Sequence, residues 1–224
     1  MSHYTDPDFS SIALVTIDTQ CDTLDGGAVE IPGTSAILPN MQALLSRFRR
    51  TGRPIVHVVR LYKPDGSNVD LCRRELVESG KGFLLAGSAG SQLAPQLLPR
   101  KGLRLDNDLL LGGGFQQIGP HEVVMYKPRW GAFYSTPLEE HLRALGVATL
   151  AFTGCNFPNC PRASIYEASE RDFRLVVAED AVSGLDERGR KELEAIGARL
   201  VRTRTLIDRV GRRAARAASE RLTA

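Results

Sequence analysis

Short apolar runs rich in β-branched residues alternate along this chain with stretches of helical periodicity, and no other feature narrows the fold so far. The runs are SIALVTID (11–18), RPIVHVVR (53–60), HEVVMYK (121–127), VATLAFTG (147–154) and FRLVVAED (173–180), with a weaker sixth, ARLVRT, at 198–203. Helical stretches at 35–51, 136–146, 160–171 and 187–197 lie between them, each of a length that suits a βαβ crossover. Nearly continuous apolar strands of this kind belong to a parallel sheet covered on both faces. The expected fold is therefore α/β, three-layered and doubly wound, with a mostly parallel sheet of about six strands.

The segment 64–119 departs from the alternation. It opens on a turn-like KPDGSN, is expected to hold a short helix near 69–79, and runs on through the Gly-rich GKGFLLAGSAGSQ and LGGGFQQIGP. We read it as a long excursion over the carboxyl edge of the sheet, forming substrate walls, a subunit contact or a passive surface loop. With no internal repeat and no low-complexity linker, residues 1–224 read as one domain.

Composition sets the outer limits. The hydrophobic and charged fractions, 42% and 25%, are those of ordinary globular chains. No apolar run approaches the roughly 18 residues of a spanning helix, and MSHYTDPDFSS lacks a basic n-region and an apolar h-region. A cytoplasmic location and no membrane partner are the expectations. Four cysteines, Cys21, Cys72, Cys155 and Cys160, then read as reduced thiols. From Arg199 onward eight arginines face only Asp208 and Glu220, within an Ala/Arg pattern that reads as a helix over 204–224. No aromatic residue is interleaved there to stack on a base, so no nucleic-acid partner is expected.

In open α/β sheets ligands bind beyond the carboxyl ends of the strands. Three reactive groups fall there: Asp18 closes the first run, Lys127 the third, and the fourth leads through TGCNFPN to Cys160. Pro161 follows Cys160, which places the thiol at the start of the next helix, where the terminus would lower its pKa. Cys155, at the strand exit, is expected to pack. Asp18 is either a paired structural carboxylate or a site residue able to accept the thiol proton, and Lys127 either its partner or a surface lysine. His57 lies inside a strand run, and neither His121 nor His141 falls at the carboxyl edge, so a Cys-His dyad is not expected. Trp130, Phe133 and Phe157 are candidates to line a pocket or to pack in the core. Arg129 and Arg162 are candidates for an acidic substrate group.

The segments VTIDTQCD, YKPRWGAFYSTPLEEHL and TGCNFPNCPRASIYEASERDFRLVVAEDAVSG, in that order, resemble the isochorismatase-like cysteine hydrolase superfamily, which includes nicotinamidases, N-carbamoylsarcosine amidases and ureidoacrylate or biuret hydrolases. The resemblance implies a Cys-Lys-Asp triad of Asp18, Lys127 and Cys160, with Gln20 and Phe133 at matching family positions, and Gln20 joins the three aromatics as a candidate to stand near the substrate. It implies a cis peptide between Cys155 and Asn156, and an oxyanion hole made by the Asn156 and Cys160 amides. The implied activity is hydrolysis of a non-peptide C–N bond in a small amide or carbamoyl compound, by a homo-oligomer, dimer or tetramer. Vinyl-ether cleavage and a non-catalytic binding role are the alternatives. Phe157 and Pro158 depart from the family pattern. RLYKPDGSNVD, where nicotinamidases carry metal-binding histidines, offers none, so no metal or other cofactor is expected.

Overall fold

In the computed structural model, which describes residues 3–80 and 82–211, seven strands form one sheet in the order β3-β4-β2-β1-β5-β6-β7. They are β1 (Ile12–Ile17), β2 (Ile55–Val59), β3 (Phe115–Gly119), β4 (Glu122–Tyr126), β5 (Thr149–Gly154), β6 (Arg174–Val182) and β7 (Arg199–Val201). Every neighbouring pair is parallel except β3 with β4. The expected fold class is thus observed, with one strand more than the sequence indicated. Strand β3 arises inside the segment read as excursion, where its two glutamines mask the apolar pattern.

Alternation along the strands feeds two cores. On β1, Ala13, Val15 and Ile17 point into one layer and Ile12 and Leu14 into the other. The first layer is closed by α4 (Leu138–Ala144), α5 (Cys160–Ser169) and α6 (Glu187–Ala195), through Leu138, Leu142, Ile165 and Leu193. The second is closed by α1 (Thr34–Arg50) and a helix at 203–211, through Met41, Leu44, Phe48, Leu206 and Val210. The rest of the Arg-rich helix expected over 204–224 lies outside the described residues.

The crossover from β1 runs through α1 to β2, whereas β5 packs on the other flank of β1. The strand order therefore reverses between β1 and β5, and the chain exits of both strands open at that switch point. Register places Ile17 opposite Gly154, which brings Asp18 beside Cys155. The excursion holds α2 (Arg74–Glu78) and α3 (Asn107–Leu111) and packs its own small core of Tyr62, Val69, Phe83 and Leu84. It is latched to the β1 exit where Gln20 bridges to Leu93 and the Leu84 amide donates to Asp22 at 2.6 Å. Among the described residues, no helix is long and apolar enough to cross a membrane.

Candidate active site

Three strand exits converge on one corner. The Asp18 amide donates to Val58 at 2.9 Å, the Lys127 amide to Val59 at 3.0 Å and the Cys155 amide to Ile17 at 3.0 Å, so sheet hydrogen bonding itself fixes where the side chains begin. Asp18 takes a left-handed backbone, φ 47°, unusual for a residue with a Cβ and typical of functional corners. Beside it Gly154 has φ 118°, and a Cβ there would stand 2.2 Å from the Ile17 carbonyl oxygen, so only glycine permits β1 and β5 to exit this close together.

Lys127 Nζ lies 2.8 Å from Asp18 Oδ2 and donates to the Arg129 carbonyl at 3.1 Å. Lys127 is wholly buried and Asp18 is 7% exposed. Asp18 Oδ1 is buried with no hydrogen-bond partner among the described residues. A buried carboxylate oxygen left unbonded is costly.

Cys160 opens α5, buried, with Pro161 at the next position. Its thiol is pushed up to about 12 by burial first and the Asp18 charge second, against the pull of Lys127. This corrects the expectation of a thiol lowered by the helix terminus: removal from water and a carboxylate outweigh the terminus, and the resting group is the thiol. Cys155 is buried, donates to the Asp18 carbonyl at 3.1 Å and is likewise raised to about 12, chiefly by burial. Both thiols are free.

The bond between Cys155 and Asn156 is trans, as are all peptide bonds among the described residues, contrary to the implied cis bond. A non-proline cis bond costs about 2.5–4 kcal/mol relative to trans. As the first residue of α5, Cys160 has no earlier carbonyl of its own helix to receive its amide. Neither its N–H nor that of Asn156 finds an acceptor among the described residues.

A cavity of about 250 Å³ opens on this corner. Asp18, Cys155, Asn156 and Cys160 line it from the strand exits, Val29 and Ile31 from the loop before α1, and Arg73, Leu76, Phe83 and Leu84 from the excursion. The four residues expected near the substrate do not line it. Gln20 is fully buried, its amide nitrogen donating to the Arg60 and Ser91 carbonyls at 2.9 and 2.6 Å and its oxygen accepting from the Arg60 amide at 2.8 Å, so its hydrogen bonds are spent tying the excursion to β1. Phe133 packs against Phe173. Phe157 is buried in the core, its ring filling the space above Gly189 that a Cβ would need. Trp130 stacks under the Arg73 guanidinium, 4.9 Å from ring centre to Cζ.

Of the candidates for an acidic substrate group, Arg162 pairs with Glu192 at 2.9 Å, and Arg129 donates to carbonyl oxygens. Arg73, which no local sequence signal singles out, is the arginine in the cavity wall. Where nicotinamidases are implied to hold a metal, this chain offers Asp70, already bound by Arg60 at 3.0 Å and by the Tyr62 hydroxyl at 2.8 Å. Among the described residues no three of His, Cys, Asp and Glu stand together as a metal site, so the donor set does not fit one.

The doubly wound, mostly parallel sheet is the fold of the isochorismatase-like hydrolases. A family model described as the isochorismatase domain matches residues 115–205. An Arabidopsis thaliana protein described as a "probable inactive nicotinamidase" is 30% identical over 174 residues, covering 76% of this chain and 80% of that one. The crystal structure of an isochorismatase family protein from Desulfovibrio vulgaris matches with a TM-score of 0.75 and 31% identity, over 88% of this chain and 97% of the other. A ureidoacrylate amidohydrolase from Methylobacterium radiotolerans is 26% identical over 171 residues, 70% of this chain and 59% of its own. The chain belongs to the isochorismatase family.

Proposed function

We propose that this protein is a cysteine hydrolase that cleaves a non-peptide C–N bond, amide or carbamoyl, in a small molecule through a thioester on Cys160. The observation that carries this reading is the buried Asp18–Lys127 pair at 2.8 Å, with the second carboxylate oxygen unbonded beside a helix-start thiol. Amidohydrolase relatives support it. Because the resting sulfur is a thiol, attack needs a base, and Asp18 Oδ1 takes the Cys160 proton as sulfur bonds to the carbonyl carbon. Lys127 holds the carboxylate in place and offsets the negative charge the corner gathers.

The oxyanion that forms is held by the free Asn156 and Cys160 amides, contacts typically worth about 3 kcal/mol per donor. Asp18 then gives its proton to the leaving nitrogen as the C–N bond breaks. In the second half Asp18 takes a proton from water, hydroxide adds to the thioester carbon, and the departing sulfur recovers the proton. A substrate screen for ammonia release, run on wild type and Cys160→Ala, tests the reading. Release by wild type alone supports it, and equal release by both contradicts it.

A further inference from the structure

We propose that Arg73 is the anion-recognition residue of this cavity and restricts the substrate to small amides or carbamoyl compounds that carry a carboxylate. This rests on the hydrolase reading above and adds the substrate's charge. Two charged side chains line the cavity, Asp18 and Arg73. Asp18 is matched by Lys127 and Asp70 by Arg60, each within 3.0 Å. Arg73 has no carboxylate within ion-pair distance among the described residues, although it is partly buried and lines the same cavity as the nucleophile.

Its guanidinium is also held in place. One nitrogen donates to the Tyr62 hydroxyl at 3.1 Å, and Tyr62 in turn donates to Asp70 at 2.8 Å. Its Cζ lies over the Trp130 ring, 4.9 Å from the ring centre. A guanidinium fixed at one nitrogen and one face keeps further N–H donors free, and that fork suits a carboxylate. Its charge reaches both Asp18 and Cys160. Between the two ends the wall is apolar, Phe83, Leu84 and Leu76, which fits a short hydrocarbon link between the scissile carbonyl and the acid. Lys127 cannot serve in its place because Asp18 and the Arg129 carbonyl occupy it.

Trp130 is the only tryptophan in the chain, so binding at Arg73 can be read by its fluorescence. Succinamate and its neutral counterpart succinamide are titrated into the Cys160→Ala protein, which removes turnover, and into Cys160→Ala carrying Arg73→Gln or Arg73→Lys. The expected result is a saturable response to succinamate that weakens about tenfold to a hundredfold with Arg73→Gln, is partly kept with Arg73→Lys, and is matched by succinamide in neither strength nor sensitivity to Arg73. Equal binding of the two compounds, no binding of succinamate, or succinamate binding indifferent to Arg73→Gln overturns the proposal. Alkylation of Cys160 in the otherwise wild-type protein reports separately on the nucleophile, so loss of the hydrolase reading and loss of the Arg73 reading give different results.

Discussion

Two buried carboxylates, at opposite ends of the sheet, show how the same chemical group serves two purposes. Glu122, at the start of β4, has both oxygens occupied: Arg49 donates to Oε2 at 2.8 Å and to Oε1 at 2.6 Å, and His57 Nε2 lies 2.8 Å from Oε1. The other His57 nitrogen meets the Thr16 hydroxyl at 2.8 Å, so the network closes on itself. Asp18, just past the end of β1, has Lys127 on one oxygen and nothing on the other. It also pays for a left-handed backbone. A saturated carboxylate is structure, while an unsaturated one facing a thiol and a cavity is available for chemistry.

The comparison breaks most sharply at the sulfur. Cys160→Ala should reduce turnover by a factor on the order of 10⁴ or more while leaving the unfolding transition near its wild-type position, measured by ammonia release and urea denaturation. Lys127→Met leaves the buried Asp18 without its partner and should cost about 3–5 kcal/mol of stability in the same denaturation experiment. Removing both charges with Asp18→Leu and Lys127→Met should recover most of that loss without restoring turnover.

At the other end, Glu122→Gln should cost about 1–3 kcal/mol by loosening Arg49 and His57, with turnover close to wild type. A mutation there that abolished activity at unchanged stability would dissolve the distinction. The smallest effect concerns acid. Burial acts to raise the Glu122 carboxyl, but Arg49 and His57 bonding and charge hold it down at about 2, against an ordinary 4.5. Its folded value is depressed, so its stabilisation is complete above about pH 4.5 and is lost as pH falls towards 2. Denaturation midpoints across that window should fall less steeply in Glu122→Gln than in wild type.

Much of this was legible in the sequence because of where the chemistry is local. Asp18, Lys127 and Cys160 each follow an apolar run, and a parallel sheet brings successive carboxyl ends to one edge. What was not legible depends on distant partners. Strand β3 carries Gln116 and Gln117 and is ordered by pairing with β4, which no local pattern announces. Gln20 lies in a family motif, yet its role is set by carbonyls 40 and 71 residues away. Arg73 sits in CRRELVES, within the short helix expected near 69–79, and only the folding of the excursion over the switch point gives it a cavity to face. The Cys160 thiol departs from its expected value because helix-start position is local and burial beside Asp18 is not.

Whether Asp18 acts as the base for Cys160 is tested by iodoacetamide alkylation, for which the two roles of the carboxylate give opposite signs. The Asp18 charge raises the Cys160 thiol, so if the carboxylate does nothing more, Asp18→Asn should ionise more readily and react faster. If Asp18 accepts the proton as sulfur attacks, Asp18→Asn should react more slowly near neutral pH. With labelling mapped to Cys160 by peptide mass, modification is expected to be slower in Asp18→Asn than in wild type. Faster modification of the variant would contradict a base role for Asp18.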